Sequence, residues 1–464
     1  MTLVRDAASD TRVRERRGWR QVVDGKGGGS WAHIAGRVLV VWIVTYIVLR
    51  VDGDPSLRSA LVAIPVALVT LPFLRWATQA ARAMPLAFGP VVVAAAANAL
   101  GFLAMAALVF LVPSISLDRS ELAIIALTSF AVTAVWEVFV RRSASTPARV
   151  LVVGGGEPAR ILIETTARES TPFEIVAVVA DDLDDGFPDD TAYFRLADLG
   201  SAIEQLAPEL VVVAVDRGRP EVFAKLLDAA SEDFRMVGLP EFYEVAFGRL
   251  PVRALTPAWF MSTLHLYNRP YNRSAKRAFD IVVATLGLVI ALPLLPFIVL
   301  IVKRTRGPLL YRQTRSGEHG RPFTILKFRS MAAAAEEPGK AQWADHDDPR
   351  IIAGGKLLRR TRLDELPQLW NVLRGDMTIV GPRPERPEFM ALLSQEVPFW
   401  SQRLVAQPGI TGWAQIRAPY SFDELGAEEK LSYDLWYLRH RSLALDTVIC
   451  VKTVATLLTG AGAR

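Results

Sequence analysis

Four apolar runs near the N-terminus constrain the fold more than any other feature of this chain. They lie at about 34–50, 58–75, 89–113 and 121–140. Each approaches the ~20 residues that a helix needs to cross the hydrocarbon core of a bilayer. The runs therefore predict a bundle of four transmembrane helices within residues 33–142, with four buried helices of a large soluble core as the alternative.

The charges between these runs predict how the helices are oriented. Acidic residues such as Asp52 and Asp118 follow the first and third runs, whereas Arg75 and Arg141 follow the second and fourth. Because positively charged connections stay in the cytoplasm, both ends of the bundle are expected inside. Residues 1–32 are polar and arginine-rich, which predicts a disordered cytoplasmic tail.

Composition narrows the classes of function. The hydrophobic content of 51% is high for a soluble enzyme, and the net charge is only +5. Much of the positive excess lies near the apolar segments, where it suits anionic lipid headgroups, so a bilayer partner is expected and a nucleic-acid partner is not. A single cysteine, Cys450, excludes an internal disulfide, and the five scattered histidines do not form a Cys/His zinc motif.

Residues 147–250 have a different pattern, in which valine-rich strands alternate with helical stretches. This pattern predicts an α/β Rossmann-like domain with a parallel sheet. Gly154, Gly156 and Ala159 fit G-x-G-x-x-G/A, which brings backbone close to a pyrophosphate. The acids that could hold a ribose, Asp181 and Asp182, lie farther from these glycines than the usual ~20 residues. A structural or regulatory domain and a working nucleotide site both remain open.

A connector at 251–273 leads to a further apolar stretch, 279–302. Lys276 precedes the stretch and Lys303 follows it, and both ends therefore favour the cytoplasmic face. Pro293 lies near its middle, where a proline bends a helix. The stretch therefore predicts a re-entrant membrane helix that enters and leaves on one side, with a straight fifth span as the alternative.

The densest group of charges surrounds the adjacent acids Asp364 and Glu365. Apolar residues spaced from Leu363 to Leu373 predict an amphipathic helix that begins at the acids, where the helix dipole favours anions. Arginines flank the pair on both sides, so it suits phosphoryl transfer, with one acid attacking phosphorus and the other holding Mg²⁺ or moving a proton. A solvated helix face with i,i+4 ion pairs is the alternative.

The acid pair lies in one of seven motifs in the mainly α region 274–464. Together these motifs resemble those of the bacterial sugar transferases, or monotopic phosphoglycosyl transferases. The motifs are KRAFD at 276–280, YRQTRSGEHGRPFTILKFRSM at 311–331, DPRI at 348–351, LDELPQLWNVLRGDM at 363–377, VGPRPE at 380–385, PGITGWAQI at 408–416 and YDLWYL at 433–438. The whole chain looks like the large, exopolysaccharide-initiating members: a multi-domain membrane protein with a four-helix bundle, a Rossmann-like domain and a catalytic domain that carries a re-entrant helix.

This resemblance implies a reaction and a set of residue roles. Asp364 matches the nucleophile that attacks the β-phosphate of a UDP-sugar, forms an aspartyl-phosphosugar and releases UMP. Undecaprenyl phosphate then attacks this intermediate, and Glu365 matches the partner acid that binds Mg²⁺. Pro293 matches the helix-breaking proline. Residues matched to substrate or phosphate binding are Lys327, Arg329, Arg383 and Asp434, with weaker matches at Gln313, Arg315, Asp376 and Gln415.

Two positions depart from the family pattern. Leu292 replaces the serine that often precedes the proline and caps a freed carbonyl, so another donor must serve, or Pro296 shares the bend. Gln407 stands where a basic residue commonly precedes PGITGW, which removes one expected phosphate contact.

The sequence supports three hypotheses about function. The first is a phosphoglycosyl transferase in the bacterial inner membrane, with its catalytic domain on the cytoplasmic face. The alternatives are a membrane-anchored nucleotide-sensing scaffold with an inactive transferase domain and a Rossmann oxidoreductase. The oxidoreductase hypothesis is the weakest, because residues 147–250 contain no Y-x-x-x-K catalytic pattern. The sugar, the glycan pathway and the oligomeric state, including a homo-oligomer, stay open.

Overall fold

The computed structural model describes residues 147–464, except 170, 189–190, 216–219, 229–233, 258–271, 333–349, 419–423 and 460–464, and a few isolated residues before 147. The predicted tail and four-helix bundle therefore lie outside the described residues. By its contacts the chain divides into two compact units, Met1–Gly248 and Arg249–Arg464.

The first unit contains a five-stranded sheet whose strands are all parallel. The strand order is β3-β2-β1-β4-β5, which is the doubly wound arrangement. The strands are β1 (Ala148–Val153), β2 (Phe173–Val179), β3 (Tyr193–Phe194), β4 (Leu210–Val213) and β5 (Arg235–Gly238). The helices are α1 (Glu157–Arg168), α2 (Leu199–Leu206), α3 (Pro220–Asp228) and α4 (Leu239–Ala246).

Burial of the central strands explains why they are runs of valine and leucine. Leu151, Val179 and Val211 are fully buried members of one core cluster, together with residues of the covering helices such as Leu199. A parallel sheet is covered on both faces, so its strands are apolar throughout instead of alternating. The predicted α/β domain with a parallel sheet is confirmed.

The second unit is mainly helical, with two small two-stranded sheets. The antiparallel pair is β6 (Leu310–Ser316) with β7 (Pro322–Phe328), and the parallel pair is β8 (Thr378–Val380) with β9 (Gly409–Thr411). The helices are α5 (Arg273–Ala291), α6 (Leu295–Lys303), α7 (Gly355–Arg360), α8 (Gln368–Arg374), α9 (Pro387–Glu396), α10 (Trp413–Arg417), α11 (Glu424–His440) and α12 (Leu443–Thr459).

Helices α5 and α6 are joined by a 3₁₀ turn, Leu292–Leu294, that contains Pro293. Proline leaves the carbonyl four residues earlier, that of Val289, without its usual donor. The N–H of Leu292 donates to that carbonyl as well as to Leu288. A backbone donor therefore does the work for which the family often uses a serine hydroxyl.

This interrupted helix, Arg273–Lys303, is the one stretch of the described residues that is long and apolar enough to cross a membrane. Its exposed apolar side chains are Ile281, Val282, Leu286, Val289, Ile290, Leu292, Leu294, Phe297 and Leu300. Near its start, Arg277 donates to the carbonyls of Val372 and Leu373, each at 2.6 Å. Near its end, Val302 is buried in a cluster with Phe328. Both limbs are therefore anchored to the second unit.

Candidate active site

The two predicted acids lie on a tight turn between α7 and α8. Arg362 adopts a left-handed conformation with φ 55°, and the 3₁₀ turn Leu363–Glu365 follows it. Asp364 and Glu365 are only 7% and 8% exposed. Because Pro367 precedes α8, the regular helix starts at Gln368, after the acids instead of at them. The alternative of a solvated helix face is wrong for this pair.

Three cations hold the Glu365 carboxylate, one from the same turn and two from distant parts of the unit. Lys327 Nζ on β7 lies 2.8 Å from Oε1, Arg362 Nη1 lies 3.4 Å from Oε2, and Arg383 Nη2 lies 3.6 Å from Oε1. Burial alone would raise the pKa of Glu365, but these cations outweigh it and hold the pKa well below its usual range. Glu365 is therefore ionised at any physiological pH.

Asp364 has a different environment although it is the next residue. Within the described part of the chain, no cation lies within 4.0 Å of its carboxylate. Burial and the neighbouring Glu365 charge raise the pKa of Asp364 to about 6, against the attraction of Lys327 and Arg359. The adjacent acids thus differ in the way that separates the roles of paired catalytic carboxylates. Asp364 is therefore the less strongly paired of the two acids.

The pKa of Lys327 is lowered by its surroundings. Burial lowers its pKa, while the Glu365 carboxylate, which accepts its hydrogen bond, partly restores it. Lys327 stands on β7, whose edge is fixed to α8 by the fully buried side chain of Asn371. The Asn371 amide accepts from the Leu326 N–H at 3.0 Å and donates to the Thr324 carbonyl at 2.8 Å. The sequence interpretation gave no role to Asn371, although it lies in the LWN part of the acid motif.

Arg383 comes from the loop after β8, which rests on β9. Gly381 N–H donates to the Thr411 carbonyl at 2.9 Å, and Gly409 N–H donates to the Pro382 carbonyl at 2.8 Å. A Cβ on Gly409 would lie 2.1 Å from the Gly381 nitrogen. This backbone contact explains why the VGPRPE and PGITGW motifs both need glycine.

Three other predicted residues, Arg315, Gln313 and Asp434, support this loop or its surroundings. Arg315 Nη1 donates to the Pro384 carbonyl at 3.1 Å, and its Nη2 donates to Gln313 Oε1 at 2.6 Å. Burial, followed by the charge of Arg383, lowers the pKa of Arg315 to about 10. Asp434 is 1% exposed, and it pairs with Arg403 at 2.7 Å. Burial raises the pKa of Asp434 to about 6, even though Arg403 lowers it.

Arg403 is a second residue that sequence reasoning missed. Its Nη2 also donates to the Arg383 carbonyl at 3.2 Å, and its guanidinium lies 4.4 Å from the centre of the Trp400 ring. An arginine among aromatic residues resembles a lipid-facing patch in sequence. Trp400 is instead 1% exposed, so this patch belongs to the core.

The structure places Arg329 at the end of α6. Its Nε donates to the Pro308 carbonyl at 2.7 Å, and its Nη2 donates to the carbonyls of Val302 and Thr305 at 3.0 and 2.9 Å. These bonds tie the last turn of α6, which contains Val302, to the segment that follows the helix. The predicted contact between Arg329 and a phosphate stays a prediction.

The glycine turn of the parallel sheet is occupied by the protein itself. A Cβ on Gly155 would lie 1.9 Å from the Asp182 carbonyl oxygen, and the Asp184 N–H donates to the Gly155 carbonyl. Asp181, the candidate ribose ligand, accepts from the Leu196 N–H at 3.2 Å. Glu157 adds a negative charge to the first turn of α1, where a pyrophosphate would bind. These contacts favour a structural role for this domain.

No group of three or more histidine, cysteine or acidic side chains that suits a metal is present among the described residues. The acidic run 345–348 lies outside them. Mg²⁺ commonly uses one or two carboxylates together with substrate phosphates and water. Glu365, the predicted Mg²⁺ ligand, is one such carboxylate, and its binding of Mg²⁺ stays a prediction.

Comparison with known proteins identifies relatives of the second unit. Residues 271–460 match the family described as "Bacterial sugar transferase". Over 130 residues, 28% of this chain, the sequence is 52% identical to a putative undecaprenyl-phosphate N-acetylgalactosaminyl 1-phosphate transferase of Bacillus subtilis and covers 72% of it. Over 187 residues, 40% of this chain, it is 41% identical to the UDP-glucose:undecaprenyl-phosphate glucose-1-phosphate transferase of Caulobacter vibrioides and covers 70% of it.

A third relative is longer than the matched region. It is the UDP-N-acetylgalactosamine-undecaprenyl-phosphate N-acetylgalactosaminephosphotransferase of Aeromonas hydrophila, 43% identical over 196 residues. The match covers 42% of this chain and 46% of that protein, so the chain spans about half the length of this relative. All three names include undecaprenyl phosphate; two of them name N-acetylgalactosamine and one names glucose.

Proposed function

The chain belongs to the bacterial sugar transferase family, and we propose that it transfers a sugar 1-phosphate from a UDP-sugar to undecaprenyl phosphate through a covalent aspartyl-phosphosugar. The observation that carries this proposal is the unequal environment of two adjacent buried acids. Glu365 is held by three cations, whereas the Asp364 carboxylate has no cation within ion-pair distance among the described residues. Such a site holds one acid fixed and leaves the other to react.

The first step forms a bond between an Asp364 carboxylate oxygen and the β-phosphorus of the UDP-sugar. The bond from that phosphorus to the bridging oxygen breaks, and UMP leaves with the electron pair. In the second step an oxygen of undecaprenyl phosphate attacks the same phosphorus, and the Asp364 carboxylate leaves. The product is undecaprenyl diphosphate sugar, and no net proton is consumed. Donor and acceptor visit the site in turn, as covalent catalysis predicts.

Basic residues around the acids suit the charge on the transferring phosphoryl group. Lys327 and Arg383 lie beside Glu365, and Arg359 lies close enough to lower the pKa of Asp364. Fixed cations at a phosphoryl group stabilise its transition state without reorganisation. Bound Mg²⁺, held by Glu365 and the donor diphosphate, would supply further neutralisation of phosphate charge.

We further propose that Arg273–Lys303 enters and leaves the cytoplasmic side of the inner membrane. A straight helix of this length would extend about 46 Å, which exceeds the ~30 Å hydrocarbon core. The break at Pro293, the exposed apolar side chains and the anchoring of both limbs to one unit support this re-entrant path. It would place the acids at the membrane surface, where a soluble UDP-sugar meets a lipid phosphate.

The test is to incubate the purified full-length protein with Mg²⁺, undecaprenyl phosphate and UDP-glucose, UDP-galactose or UDP-N-acetylgalactosamine, and to measure UMP and the lipid product. We expect one donor to be preferred, and we expect Asp364→Asn to abolish UMP release while the protein stays folded. Glu365→Gln, a matched loss of the neighbouring charge, should retain slow release. Full activity of Asp364→Asn would refute the covalent mechanism.

A further inference from the structure

A buried cluster at the start of α5 holds the strand that leads into the Arg383 loop. Lys276 Nζ lies 2.8 Å from Asp446 Oδ2, 3.0 Å from Asp280 Oδ1 and 3.4 Å from the Val380 carbonyl oxygen. An ammonium group has three N–H donors, so these acceptors match its donors in number. Lys276 stands in sequence as a charge flanking a membrane helix, yet it is only 9% exposed.

Tyr437 on α11 completes this cluster. Its hydroxyl lies 2.8 Å from Asp446 Oδ1 and 3.0 Å from the Val380 carbonyl oxygen. Asp280 accepts from the Thr378 hydroxyl at 2.7 Å and from the Ile379 N–H at 3.1 Å. The cluster therefore contacts all three residues of β8.

The loop that follows β8 is held from two directions. Val380, at its start, receives the contacts of Lys276 and Tyr437, and the Arg383 carbonyl receives a hydrogen bond from Arg403. The Arg383 side chain is itself 40% exposed and lies 3.6 Å from Glu365. A long, partly exposed guanidinium depends on its backbone for its position, because its own side chain has many rotamers.

We propose that Tyr437, together with Lys276, is a positioning residue for the proposed transferase reaction, which fixes Val380 so that Arg383 reaches the acid pair and the donor phosphates. This inference rests on the proposed function. The cluster contacts β8, and through β8 it would affect the rate of transfer.

Tyr437→Phe provides the test because it removes one hydroxyl and leaves the Lys276 ammonium in place. UMP release is measured under single-turnover conditions with excess full-length enzyme, so that slow variants remain measurable. We expect Tyr437→Phe to slow release about tenfold when Arg383 is present, and less than about twofold in an Arg383→Ala background. A merely structural role predicts the same factor in both backgrounds.

The matched control is Tyr243→Phe, which removes a tyrosine hydroxyl in the parallel-sheet unit, 3.3 Å from Thr165 Oγ1, and should leave the rate unchanged. The melting temperature shows whether Tyr437→Phe is folded. If it is not, Thr378→Val, which perturbs β8, replaces it in the comparison with and without Arg383→Ala. An unchanged rate, or equal factors in the two backgrounds, overturns the inference while the transferase stands. A wild-type protein that releases no UMP from any UDP-sugar overturns both.

Discussion

The raised pKa of Asp364 gives a prediction about the pH dependence of the first half-reaction. Asp364 must be ionised to attack phosphorus, and its pKa is raised from 3.8 to about 6. The rate should therefore fall as pH drops below about 6, instead of below about 4. The shift of about two units corresponds to ~3 kcal/mol against the ionised form.

Two substitutions should move the acid limb of the pH–rate profile, the pH range in which the rate falls, in opposite directions. Glu365→Gln removes a negative charge and releases Lys327 to attract Asp364, so the limb should move about one unit lower. Lys327→Met removes the attraction that lowers the pKa of Asp364, so the limb should move higher. Both variants will react slowly, but the prediction concerns the position of the limb and not its height.

The assay is UMP formation without acceptor, at donor concentrations below KM, between about pH 4.5 and 8.5. The acceptor is omitted because a phosphate monoester itself titrates near pH ~6. A wild-type limb near pH 4, or an upward shift in Glu365→Gln, would refute the assignment of the free carboxylate to Asp364. Circular dichroism across the same pH range is the control for unfolding.

Three further predictions concern stability. Because the pKa of Asp364 is raised in the folded state, stability is lost as pH rises from 3.8 to about 6. Asp364→Asn should therefore be ~3 kcal/mol more stable than wild type near pH 8, and close to it in stability near pH 4, by denaturant unfolding. Arg329→Lys should lower stability by ~2 kcal/mol with an unchanged donor KM, because a lysine cannot serve three carbonyls in a fork; a raised KM with native stability would instead indicate a phosphate contact. Asn371→Ala should cost ~2 kcal/mol and slow UMP release, since β7 loses its attachment to α8; a stable, fully active variant would contradict this role.

Patterns that are local in sequence predicted the structure well. The valine runs of 147–250 form the predicted parallel sheet. They could be recognised because a strand that is buried on both faces is apolar along its whole length. Pro293 lies at the break between α5 and α6, since the loss of one N–H is a property of that residue alone. The start of α8 was misplaced because the turn chemistry of Arg362 and Pro367 overrode the apolar spacing.

Contacts between distant residues could not be predicted in this way. Lys276 was interpreted as a charge that sets topology, because its partner Asp446 lies 170 positions along the chain. Arg329 shows the same limit, because its motif does not indicate that its guanidinium donates to the carbonyls of Val302 and Thr305. Only the fold decides which acceptor lies within reach.

The difference between the environments of Asp364 and Glu365 depends on the tertiary structure. A neighbouring aspartate and glutamate on a solvated surface would ionise near pH 4 alike, and nothing in the pair itself decides which acid is held. Here Lys327 comes from β7 and Arg383 from the loop after β8, and both reach Glu365 instead of Asp364. Segments outside the acid motif therefore decide which of the two acids is left without an ion pair. Substitutions in β7, β8 or α11 can for this reason alter the chemistry of Asp364 without contacting it.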